Sequence, residues 1–297
     1  AVEWVGARPV FADCDPATGN VTPQTIADAI STRTRAIGLV HFLGVPCDME
    51  AIRDLADAGD LAVVEDCALA LGARRDGRHV GTVGDVGTFS FYPVKHLTTA
   101  EGGMFVTRHA DVVARVRRLR AFGVDRGHSE RSMPGVYDVP TLGLNYRMSE
   151  LQAALGRTQL SRAPEILSRR RENFRRVREP LVDAGIHVLD ADDAAAESSH
   201  YALSAVLPGG AGGPRERVVE ALGEAGVGTS LYYPHPVPRL SYYRERYRYV
   251  DGFHPHAEEI SDASITLPVG PHLTADDAER VGETVAALAE VQLGARA

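Results

Sequence analysis

Short apolar runs alternate with amphipathic stretches through residue 110. Pro9-Val-Phe-Ala-Asp13 reads as a strand. Thr22-Pro-Gln-Thr-Ile-Ala-Asp-Ala-Ile30 offers a Thr N-cap, Pro at the first helical position and apolar residues at helical spacing, which predicts a helix. Ala36–Phe42 is a second strand. Asp48 then caps a helix whose Met49, Ile52, Leu55 and Ala56 form one apolar stripe. Leu61–Glu65 is apolar on both faces, as a central parallel strand should be, and strands follow at 87–92 and 103–107. Alternation of this kind predicts an α/β fold with a large, mostly parallel sheet flanked by helices.

Helix dominates next, over Ala110–Phe122 and from Ser149 to Ala184, with an interruption expected near Pro164. Beyond it the pattern mixes strands (Tyr201–Leu207, Ile265–Val269) with helices (215–225, 275–290) around a Gly/Pro-rich loop at 208–214. The reading divides the chain into a large α/β domain, 1–185, and a smaller C-terminal α+β domain, 186–297.

Composition narrows the function classes. A net charge of −8 over 297 residues gives no basic footprint for nucleic acid, and the arginines of 169–176 are interleaved with acids as on a solvated helix face. No apolar run reaches membrane-span length and the start lacks a signal-peptide layout. Cys14, Cys47 and Cys67 are odd in number and widely spaced, against a disulfide framework or a cysteine metal site and in favour of a reducing cytoplasm; no metal is expected. The chain opens in mid-pattern without Met and reads as a fragment.

In open α/β sheets ligands bind beyond the carboxyl ends of the strands, where Asp66 and Lys95 fall. Lys95 follows an aromatic run ended by Pro93 and precedes the Glu101-Gly-Gly103 turn. Read one way it is a surface lysine in a loop. Read the other it is a partly desolvated amine of lowered pKa that can attack a carbonyl. Asp66 is equally a helix cap or a carboxylate that keeps a pyridine nitrogen protonated. Ser90 is either a small strand residue or a hydroxyl that donates to a phosphate. The Gly81–Gly87 and Glu101–Gly103 segments read as turns, since neither has the strand-loop-helix order of a dinucleotide fingerprint.

Three blocks decide between these readings. Glu65-Asp-Cys-Ala68, then Gly84-Asp-Val-Gly-Thr-Phe-Ser-Phe-Tyr-Pro-Val-Lys-His-Leu-Thr-Thr-Ala-Glu-Gly-Gly-Met104, then Gly143-Leu-Asn-Tyr-Arg-Met-Ser-Glu-Leu-Gln-Ala-Ala154 resemble the DegT/StrS family in order and spacing. Val40-His-Phe-Leu-Gly-Val-Pro-Cys-Asp-Met49 is similar to a further signature of that family. The resemblance implies a fold-type-I, pyridoxal-phosphate-dependent nucleotide-sugar aminotransferase. Lys95 would be the Schiff-base lysine and proton shuttle, Asp66 the partner of the pyridine nitrogen and Ser90 a phosphate ligand. Asn145 would reach the phosphate of a neighbouring subunit's cofactor, which makes the enzyme a homodimer with shared sites; as a residue it also reads as a cap before the helix at 149. Leu69 stands where the family usually has Gln or His near the ring hydroxyl, and can pack there but not hydrogen-bond. Relatives carry several dozen further N-terminal residues, including a phosphate loop and an aromatic that stacks on the ring.

In the second region Gly226–Pro234 resembles a segment near the sugar nucleotide in relatives, with Tyr232 and Tyr233 where a His-Tyr pair is common. The tyrosines fit a packed strand as well as a substrate wall, and His235 and His41 are candidates for facing substrate or for structural roles. The implied reaction moves an amino group, glutamate's by resemblance, to a keto-deoxysugar on a nucleoside diphosphate. Within the family a sugar dehydratase is the rival, but there a His replaces the lysine. A non-catalytic ligand-binding or regulatory paralogue is the rival from another class, and an NAD-type oxidoreductase has only the α/β pattern behind it.

Overall fold

The computed structural model describes residues 1–125, 132–133, 135–191, 193–209 and 215–294. Its first half contains helices α1 (Pro23–Ala29) and α2 (Met49–Ala58), and strands β1 (Ala36–Val40), β2 (Ala62–Asp66), β3 (Arg74–Arg75), β4 (Arg78–His79), β5 (Val86–Ser90) and β6 (Gly103–Thr107). Helices α3 (Ala110–Leu119), α4 (Glu150–Ser161) and α5 (Ala163–Asp183) follow. The remainder holds β7 (His187–Val188), β8 (Ala196–Glu197), β9 (Leu203–Val206), α6 (Arg215–Glu224), α7 (Ser241–Tyr247), α8 (Pro255–Ala263), β10 (Ser264–Leu267) and α9 (Ala275–Gly294).

The main sheet has the order β1-β2-β5-β6, parallel except for the last pair. The caps read from sequence form: Thr22 accepts from the Thr25 amide ahead of Pro23, and Asp48 accepts from the Ala51 amide. Ile26, Met49, Ile52 and Ala56 meet Ile37, Leu39 and Val63 in one core on one face of the sheet. Full burial of Ile52 alone contributes about 1.5–3 kcal/mol.

Two expectations fail here. Residues 9–13 form no strand; the Asp13 side chain anchors α8 instead, accepting from the His256 and Ala257 amides. Nor is β2 covered on both faces. Both α1 and α2 pack on the same side, and Val40 and Val64 remain 44% and 37% exposed opposite.

The helical stretch breaks at Arg162, where Pro164 opens α5 rather than kinking it. Along its second half Phe174, Val177 and Leu181 join Leu203, Leu222, Ile265, Val281 and Val285 in the largest core, beneath the antiparallel sheet β10-β9-β7. A third sheet, β4-β3-β8, ties the two halves of the chain together. No helix among the described residues is long and apolar enough to cross a membrane.

Candidate active site

The site begins with a buried carboxylate that sequence inspection passed over. Glu65 has no exposure, yet its two oxygens accept four N–H groups: Val83 (2.9 Å) and Gly84 (2.5 Å) on one, Gly81 (2.6 Å) and His41 Nε2 (2.9 Å) on the other. Burial opposes the charge, and the bonds from His41, Gly84 and Gly81 outweigh it, holding the carboxyl below its ordinary range. The Gly81–Gly87 turn therefore offers its amides to Glu65. Gly87 lies so close to it that a Cβ there would stand 2.2 Å from the Gly81 carbonyl. At the far end Asp85 accepts from the Val63 amide and from Arg53, Arg108 and His109. Together they lock β2 to β5 in the register Asp66↔Thr88.

That register fixes three of the expected groups. Asp66 ends β2, and its Oδ1 accepts the Ala68 amide at 2.9 Å. Its other oxygen has no hydrogen-bond partner among the described residues. Ser90 ends β5 opposite Gly103, and its Oγ accepts the Tyr92 amide at 3.3 Å. A Cβ on Gly103 would sit 2.7 Å from the Phe89 carbonyl, so the turn after Lys95 closes only with glycine at that position. Lys95 follows on a tight turn whose amide donates to the Tyr92 carbonyl. Burial holds its ammonium below the ordinary lysine value of 10.5, and Asp66 partly offsets this.

Residues from the C-terminal part of the chain pack over this point. Lys95 Nζ lies 5.3 Å from the centroid of the Tyr201 ring. The Tyr201 hydroxyl shares a 3.1 Å hydrogen bond with that of Tyr232. Beside it Tyr233 is 51% exposed, and burial, then Tyr232 and Asp66, push its phenol above the ordinary range. Phe42 stands 6.4 Å from the Tyr233 ring. Lys95, Asp66, Tyr232 and Tyr233 thus come together, although 138 positions separate the lysine from the last of them.

Other expected residues fall elsewhere. His41 does not face substrate: it is fully buried, its Nε2–H serves Glu65, and its Nδ1 accepts the Cys47 amide at 3.0 Å. His41, Glu65 and Cys67 also form the one group of potential metal ligands within 4.8 Å among the described residues, but the ring and the carboxylate are already saturated by these bonds. His235 is exposed at the end of the tyrosine segment. Leu69 is 3% exposed and packs with Leu43, Leu189 and Tyr201 beneath the tyrosines, while its carbonyl accepts the Ser199 hydroxyl. Asn145 sits on the surface, bridged to Ala121 and accepting from Arg147, among Leu142 (90% exposed), Tyr146 (74%) and Leu151 (85%).

Sequence reading missed Tyr201, Arg170 and His96. His96 is buried, with Nε2 on the Ser199 carbonyl, and burial, Arg170 and its other positive neighbours push its pKa down to about 3. Arg170, 8% exposed on α5, donates to the Tyr201 carbonyl at 2.8 Å. Only the position of His96 beside Lys95 signalled any of this.

The chain is similar to proteins already known. Residues 1–286 match the DegT/DnrJ/EryC1/StrS aminotransferase family. MJ1066, an uncharacterised protein of Methanocaldococcus jannaschii, is 34% identical over 276 residues, covering 91% of this chain and 71% of the relative. The sugar aminotransferase Spr1654 of Streptococcus pneumoniae, described as putative and solved in a PMP form, superposes with a TM-score of 0.90 at 25% identity, over 98% of this chain and 78% of that one. DesI, solved in the presence of its TDP-sugar product, gives 0.84 at 36% identity over 99% and 73%. The chain has the fold-type-I architecture, and it belongs to the DegT/DnrJ/EryC1/StrS family as a pyridoxal-phosphate-dependent aminotransferase of the sugar-aminating kind.

Proposed function

We propose that the chain carries an amino group from glutamate to a keto-deoxysugar attached to a nucleoside diphosphate. The observation that carries this reading is the meeting of a partly desolvated lysine, Lys95, with a carboxylate, Asp66, under a wall of tyrosines from the small domain.

The residues fit the cofactor by the chemistry of their free donors and acceptors. Asp66 keeps one oxygen without a hydrogen-bond partner among the described residues and can accept a pyridinium N–H. Ser90 uses its oxygen as an acceptor, which leaves the O–H for a phosphate oxygen. The cofactor supplies an aldehyde that carries nitrogen and a ring that withdraws electrons. Lys95 would hold the cofactor through its aldehyde and, as a neutral amine once released, would move a proton at the donor's Cα. Its lowered pKa keeps more of that amine free near neutral pH. Asp66 holds the ring proton, and Tyr233, half exposed beside it, bounds the space for the sugar.

Two copies pair through the exposed Leu142, Leu144, Tyr146 and Leu151, with Asn145 among them reaching toward the neighbour's phosphate. Residues 1–185 supply the cofactor groups and residues 186–297 the tyrosine wall. Glutamate added to cofactor-loaded chain should bleach the visible cofactor band and release 2-oxoglutarate. Loading without any such half-reaction, across amino-acid donors, would overturn the proposal.

A further inference from the structure

We propose that Tyr201 is a positioning residue for Lys95: its ring is the seat on which the lysine Nζ rests, and Arg170 and Tyr232 clamp that seat in place. The inference rests on the reading of Lys95 as the cofactor-binding amine.

A lysine has four rotatable bonds and loses rotamer entropy when one orientation is imposed. Something must therefore aim it. The Tyr201 ring lies 5.3 Å from Nζ, within range of attraction between an ammonium and an aromatic face. The ring itself has little freedom. Tyr201 is 6% exposed, its amide donates to the Leu43 carbonyl and its carbonyl accepts from Arg170. Its hydroxyl is held by Tyr232, whose ring meets it edge-on at 5.8 Å, and His96 packs at 5.5 Å.

Arg170 strengthens the case. It is buried, its guanidinium carbon lies 5.9 Å from the same ring, and no carboxylate pairs with it among the described residues. A buried cation without a counter-charge is costly, and this one spends its bonding on Tyr201. The charged and titratable groups around Lys95 are then Asp66 at the end of β2, Tyr233 beside it, and His96 and Arg170 next to the seat. Of these only Asp66 favours the ammonium, so the ring supplies the remaining attraction.

The test removes the attraction while keeping the shape. Tyr201→Phe is compared with mono-, di- and trifluorinated phenylalanines at position 201, each of which weakens the negative face of the ring. Acylation of Lys95 by acetic anhydride in the cofactor-free chain, read by peptide mass spectrometry, reports the free-amine fraction. Its rate at neutral pH is expected to rise stepwise with each fluorine, by about tenfold in total. Fluorinated tyrosines, which keep the bond to Tyr232, give the same series if the phenylalanine parent does not fold. A flat series in a chain that loads pyridoxal phosphate at Lys95 removes the seat alone. Failure of the native chain to load cofactor at Lys95 removes the reading beneath it.

Discussion

Replacing Glu65 by glutamine tests how the site is held together. The side chain keeps its size, but one oxygen that accepts two N–H groups becomes an NH2 that faces the same two donors. Two bonds to a charged acceptor are lost, at about 1.5–3 kcal/mol each, so Glu65→Gln should destabilise the fold by about 3–6 kcal/mol. For a chain of this length that is a fall of about 6–24 °C in Tm. The sign with pH follows from linkage. Glu65 has a folded pKa below its ordinary 4.5, so its contribution is present above pH 4.5 and is lost as the pH falls through the folded value. Protonated, the acid resembles the amide. Urea unfolding of both proteins at neutral pH and at successively lower pH should show a gap that closes on acidification. A neutral-pH gap under about 1 kcal/mol, or one that does not change with pH, would refute the claim that Glu65 is a charged hub of the β2–β5 register.

Asp66→Asn keeps the shape of the strand end but removes the charge; the glutamate half-reaction should slow by roughly 10²–10³-fold, measured by stopped-flow bleaching, with little change in Tm. Ser90→Ala should weaken cofactor retention by roughly 10–100-fold in equilibrium dialysis, the effect of one hydrogen bond to a charged acceptor. Leu151→Glu, at a side chain 85% exposed on this chain, should convert a dimer into monomer in sedimentation while leaving the thermal transition of the subunit in place.

The sequence was most legible where the chemistry is local. Thr22 and Asp48 announced their helices because a cap bonds within three residues, and the apolar stripe of α2 announced its buried face. Asp66, Ser90 and Lys95 were legible as strand-end residues in known blocks. The segment 9–13 was misread because an apolar alternation does not say whether a partner strand is present, and its polar atoms turned out to serve α8. His41 offered the same ambiguity any histidine does. Its burial depends on Glu65, 24 positions away, and on the fold of the Gly81–Gly87 turn. Tyr201 and Arg170 were invisible for a related reason: they act on Lys95 across 106 and 75 positions, and nothing in their own neighbourhoods marks them.

The central claim is that Lys95 is the covalent anchor of the cofactor. Pyridoxal phosphate added to the chain, reduced with borohydride and digested should leave the phosphopyridoxyl mass on one peptide, at Lys95, with the visible band absent in Lys95→Ala. Lys95 is the one lysine of the sequence, so a label on the α-amino group instead, or a band that persists in Lys95→Ala, would contradict it.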